Sequence, residues 1–161
     1  MYESILVALD GSTLAERVLP AVEPLADKFS STLTLLRAVD SPLEIAALTT
    51  INAPVGVPAP VAAIDPEQLI EAELETADEY LERIAAPLRA RGLTVRLETP
   101  QEHAAAAILE AANRLGVGLI AMTTHGRGGL TRMVFGSTAD SVLRHAPCPV
   151  LMVLVHDRQR R

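Results

Sequence analysis

The 161-residue sequence predicts a single-domain α/β fold, a three-layer α/β/α sandwich around a five-stranded parallel sheet. Three observations predict it. Short β-rich runs alternate with stretches of helical apolar spacing in the order βαβαβαβαβ, and strands joined through crossover helices pair in parallel with right-handed connections. Several of the runs are nearly continuously apolar, the pattern of strands buried on both faces. Gly92 and Gly116 follow two of the helical stretches, where a left-handed C-cap residue belongs.

Taken in order, the strands are read at Ser4–Leu9, Leu33–Ala38, Leu93–Glu98, Val117–Thr123 and Val150–Val155, the first, fourth and fifth being the most apolar. Between them Leu14, Val18, Val22 and Leu25 recur at helical spacing, as do Leu69, Ile70, Leu74, Ala77, Leu81, Ile84 and Leu88, and then Ala104, Ile108, Leu109 and Ala112. A last helix opens at Gly136-Ser137-Thr138 and continues through ADSVLRHA. Pro20 and Pro24 fall inside the first helical pattern, and an interior proline costs about 3 kcal/mol, so that helix is expected to be bent or shortened. Residues 41–66, rich in proline and alanine and without periodicity, read as a long surface connection. One domain is expected over residues 1–156, with no internal repeat, followed by a basic tail at 157–161.

Composition narrows the function. The net charge of −6 and an aromatic content of 2% offer neither the basic field nor the stacking surface of a nucleic-acid binder. No apolar run reaches the roughly 20 residues of a membrane span, and MYESILVALDGS lacks the basic and apolar regions of a signal peptide. The single cysteine, Cys148, lies between two prolines and reads as a small filler in a reducing compartment. A cytoplasmic protein is expected.

The stretch THGRGGLTRMVFGST, residues 124–138, follows the apolar run VGLIAM at the carboxyl end of the fourth strand. A helix N-terminus presents unpaired N–H groups and about half a positive charge, and glycines let the backbone approach phosphate oxygens. Arg127 and Arg132 could add charge-assisted bonds there, whereas Ser137-x-x-Asp140 could instead form a capping box and the glycines serve turn geometry alone. The first strand ends in Ala8-Leu9-Asp10, and Asp10 beside a topological switch point suits ribose hydroxyls. Its local alternative is an Asx turn, with Thr13-x-x-Glu16 capping the first helix.

Other chemistries lack their residues. There is no GxxxxGK[ST] and no early GxGxxG, and His103, His125, His145 and His156 have no metal-ligand spacing with Cys148. His125 has no identifiable partner for acid or base work, so catalysis is not expected.

ILVALDGS, MTTHGRGGLTRMVFGST and HAPCPVLMV, in that order along nearly the whole chain, resemble the universal stress protein family, in its ATP-binding type. The resemblance implies a Rossmann-like nucleotide-binding sheet of order 3-2-1-4-5, with the first and fourth strands flanking the switch point. It implies a homodimer through the last strand, Val150–Val155, and a G-x-x-G-x9-G-[ST] motif in the members that bind ATP. Carried onto this chain, the second motif glycine falls on Gly126, the third on Gly136 and the hydroxyl on Ser137, while Thr123 replaces the first glycine. The family's ribose-contacting aspartate matches Asp10, its adenine-holding backbone falls near Ala38 and Val39, and Met122 matches a residue lining the adenine pocket. Ala8 stands where many binders have proline or a small residue, and Glu98-Thr99-Pro100-Gln101 lacks a glycine that many members have.

The expected function is therefore a non-enzymatic stress-response protein that binds ATP or another adenine nucleotide as a regulatory ligand. Its expected site comprises Ala8, Leu9, Asp10, Ala38, Val39, Met122, Thr123, Gly126, Arg127, Gly129, Gly136, Ser137 and Thr138, with Mg2+ bound through the phosphates and no metal site of its own. The rivals are a nucleotide-free dimer acting through protein partners, which Thr123 favours, and a slow nucleotide hydrolase. Neither nucleic acid nor membrane is an expected partner.

Overall fold

A computed structural model describes residues 2–40, 66–126 and 136–156. The chain runs β1 (Ser4–Ala8), a 3-10 turn (Ala15–Val18), α1 (Leu19–Phe29), β2 (Thr32–Leu36), α2 (Pro66–Ala90), β3 (Thr94–Glu98), α3 (Ala104–Leu115), β4 (Leu119–Gly126), α4 (Ser137–His145) and β5 (Val150–His156). The five strands form one sheet of order β3-β2-β1-β4-β5, every pair parallel. The predicted connection over 41–66 lies outside the described residues except for Pro66, which already opens α2; the tail at 157–161 lies outside them altogether.

Strand alternation divides the core between the two faces of the sheet. Ile5, Val7, Leu33, Leu35, Leu119 and Ala121 pack on one face against Val18, Val22 and Ala26 of the first helical segment and Leu81, Ile84 and Leu88 of α2. Leu6, Ala8, Leu36, Ile120 and Met122 pack on the other against Ile108 and Ala112 of α3 and Val142 of α4. Ile5, Leu6 and Val7 are all fully buried, so β1 runs through the centre, and each such side chain contributes about 1.5–3 kcal/mol.

The first helix is shortened as the prolines require. Its opening turn is 3-10, and α1 begins at Leu19 with Pro20 in the first turn, where a missing N–H costs nothing; Pro24 remains inside the helix and is exposed. The Thr13/Glu16 capping box that stood as a local alternative does not form. The Ser12 hydroxyl accepts the Ala15 N–H at 3.1 Å, and the Glu16 carboxylate pairs with Arg83 at 2.8 Å instead. Gly116 caps α3 at φ 58°, as expected, while α1 ends on a non-glycine left-handed residue, Ser30 at φ 51°.

The continuous apolarity of β5 does not mean burial on both faces. β5 is an edge strand: Leu151, Met152 and Val153 are partly buried and Leu154 is 40% exposed.

Candidate functional site: a cleft between β1 and β4

β1 hands the chain to α1 on one face of the sheet, and the connection after β4 leads to α4 on the other. Ile5, Leu6 and Val7 pair with Leu119, Ile120 and Ala121, so the two strands are neighbours and a crevice opens beyond their carboxyl ends. It forms a cleft of about 230 Å3 lined by residues from β1, β4, α3 and α4.

Eight of the sequence-predicted residues meet in its wall: Ala8 at the end of β1, Leu9 and Asp10 after it, Met122 and Thr123 in β4, and Gly136, Ser137 and Thr138 at the start of α4. Ala38 and Val39 do not line it. They follow β2 one strand away, where the Val39 N–H donates to the Pro100 carbonyl at 2.9 Å and Ala38 packs against the α3/α4-face core. The backbone of Gly126 ends β4, opposite His156. Arg127, Gly129 and Arg132 lie outside the described residues, and so does the side chain of His125.

The sequence reading missed part of the wall. Ala104 and Ile108 of α3, Ala15, Ala139 and Thr124 also face the cleft. For the α3 pair the signal was present, since both belong to the helical stripe that faces the sheet. For Thr124 it was a second hydroxyl residue at the end of an otherwise apolar strand.

The start of α4 has the properties of an anion site. Its first helical bond runs from the Asp140 N–H to the Gly136 carbonyl at 2.9 Å, leaving the N–H groups of Ser137, Thr138 and Ala139 without helical acceptors. The capping box that would have satisfied one of them is not formed: no side chain among the described residues caps the helix, and the Asp140 carboxylate is engaged by Arg144 at 2.8 and 3.1 Å. That ion pair lowers the Asp140 pKa, chiefly through the hydrogen bond from Arg144.

Gly136 has φ −60°, open to any residue, and no atom of the described residues lies within 4 Å of where its Cβ would stand. Neither backbone strain nor packing within the described residues requires glycine there. A Cβ would project into space that a ligand could occupy.

Asp10 makes the local contact that its alternative reading anticipated. Its Oδ1 accepts the Ser12 N–H at 2.9 Å, so the Asx turn is formed, while the carboxylate stays exposed at the rim of the cleft. Thr124 is only 3% exposed, and its hydroxyl has no hydrogen-bond partner among the described residues. An unpaired buried hydroxyl costs about 1–3 kcal/mol.

The described residues contain no group of three or more His, Cys, Asp or Glu side chains able to hold a metal ion. Cys148 is partly buried against the α3/α4-face core, and burial raises its thiol pKa, which suits a packing role. No helix among the described residues is long and apolar enough to cross a membrane.

Residues 1–153 match the family model described as the universal stress protein family. The chain belongs to the universal stress protein family. A universal stress protein of Synechocystis is 30% identical over 156 residues, covering 94% of this chain and 97% of its own. One from Thermus aquaticus is 30% identical over 160 residues, covering 95% and 99%. Among solved structures, a universal stress protein from Burkholderia pseudomallei superposes with a TM-score of 0.66 at 30% identity, covering 94% of this chain and 96% of that one. The protein MJ0577 superposes with a TM-score of 0.75 at 25% identity, covering 98% and 99%.

Proposed function

We propose that this universal stress protein is a cytoplasmic homodimer that binds ATP or another adenine nucleotide in the β1–β4 cleft as a regulatory ligand rather than a substrate. The observation that carries the reading is the start of α4, where amides with no acceptor among the described residues meet a glycine that the described fold itself does not require. In this reading the phosphates lie on Gly136, Ser137 and Thr138 with Gly126 at the end of β4 and with Arg127 and Gly129, which follow it in the sequence, and the ribose hydroxyls donate to Asp10. Adenine rests against Met122, with the backbone around Ala38 and Val39 beyond. Mg2+ is held by the phosphate oxygens. A universal stress protein of the same fold, 18% identical with a TM-score of 0.59, has been solved in complex with cAMP, which illustrates the capacity of the fold and no more.

Calorimetric titration with ATP and Mg2+, after mass spectrometry of denatured protein for carried-over nucleotide, tests the proposal. Wild type is expected to bind at micromolar level. Gly136→Val should lose binding while its unfolding free energy falls by less than about 1 kcal/mol, the usual scale of a changed N-cap residue. Retained affinity in that variant contradicts the site. A blank on verified apo wild type favours the second reading, a nucleotide-free dimer acting through protein partners, for which Thr123 in the cleft wall is the motivating departure.

A further inference from the structure

We infer that Thr124 is a ligand-binding residue whose hydroxyl donates to a phosphate oxygen held at the start of α4. The inference rests on the nucleotide reading of the cleft and adds a contact that the glycine motif leaves unassigned.

Placement comes from strand alternation. Ile120 and Met122 sit in the core between the sheet and α3/α4, so Thr124, two residues further along β4, projects to the same face. There it lines the cleft beside Ile108 and Ala139, together with Ser137 and Thr138, whose N–H groups have no helical acceptors. Its side chain is 3% exposed and its hydroxyl has no partner among the described residues. A valine of the same shape would fill this position without the unpaired group, so the described residues alone gain nothing from the hydroxyl. A phosphate oxygen carries no proton and needs donors. One Thr124 O–H beside the α4 amides completes such a set, whereas an apolar ligand would leave the hydroxyl unpaired.

Wild type, Thr124→Val and Thr124→Ser are to be titrated with ATP, tripolyphosphate and adenosine, and unfolded in urea without ligand. The valine variant should bind ATP and tripolyphosphate about tenfold or more weakly, as loss of a hydrogen bond to a charged group implies. Its adenosine affinity should match wild type, its unliganded stability should equal or exceed wild type, and serine should restore ATP affinity. A merely structural hydroxyl would give the opposite stability result, and that result overturns the inference. Unchanged ATP affinity in Thr124→Val overturns it alone, as does an equal loss for adenosine or a serine variant that fails to recover. Wild type that binds neither ATP nor tripolyphosphate removes the nucleotide reading and this inference together.

Discussion

The guanidinium group of Arg37 lies across Gly11, with Cζ 3.1 Å from where a Cβ on Gly11 would stand. Arg37 follows β2 and Gly11 follows Asp10 of the cleft, so a side chain from just beyond the neighbouring strand covers the turn that presents the Asp10 carboxylate. The same guanidinium stands 5.4 Å from the centroid of the Tyr80 ring, and that of Arg83 stands 5.2 Å from it.

Gly11 is where backbone conformation demands glycine, since its φ is +85°. Gly11→Ala is expected to destabilise the protein by about 1–2 kcal/mol, the cost of left-handed backbone for a residue with a Cβ. Arg37 can yield at its flexible end, so the backbone term should dominate. Gly116→Ala, at φ 58° with no neighbour within 4 Å, isolates that term without the contact. The urea midpoint at unchanged slope reads both variants. A Gly11→Ala protein as stable as wild type would show that the turn relaxes.

Tyr80 should give the protein an alkaline weakness. Burial, and after it the carboxylates of Glu16 and Asp10, push its hydroxyl up to about 12 from the ordinary 10.0, with Arg83 and Arg37 opposing. The sign follows from proton binding. Between these two values the unfolded chain has released the proton and the folded one still holds it, so stability falls as pH rises through this window and is unaffected below it. Tyr80→Phe is expected to flatten this part of the profile. Because the hydroxyl has no partner among the described residues, the variant should also lose no stability near neutrality. Unfolding midpoints of the two proteins across the alkaline range test both claims, and parallel profiles would assign the loss to other groups.

Much of this architecture is legible in the residues, and where legibility ends there is a physical reason. Apolar runs and helical stripes locate β1, β2, β3, β4 and β5 to within about three residues, because both periodicities report the same buried sheet. Local polar chemistry is less readable, since several groups compete for one bond. Ser12 takes the cap that Thr13 and Glu16 could have formed because Arg83, far along the chain, claims Glu16. Asp140 likewise leaves the α4 terminus for Arg144, one turn on. The motif residues around the cleft were visible because their spacing is local. Ile108 and Ala104 were visible as members of a helical stripe but not as cleft residues, and the buried state of Thr124 was not visible, because both depend on packing between elements. The apolarity of β5 was visible, but apolarity alone does not distinguish a central strand from an edge, and the edge position came from the strand order that the family resemblance implies.

The two sheet edges make the case for a dimer. β3 carries Thr94, Arg96 and Glu98, the kind of polar and charged side chains that discourage strand pairing, whereas the edge strand β5 is VLMVLVH, with no Asp, Glu, Lys or Arg. An edge so bare is an aggregation hazard unless something covers it, and a second copy of the same strand is a self-complementary cover. Leu154, 40% exposed, stands on that edge strand. Leu154→Lys is therefore expected to convert a dimer to a monomer in sedimentation equilibrium, while the monomer fold keeps its circular dichroism because the side chain is largely outside the core. A wild type that sediments as a monomer at the same concentrations would remove the dimer proposal. A variant that remains dimeric would move the interface away from β5.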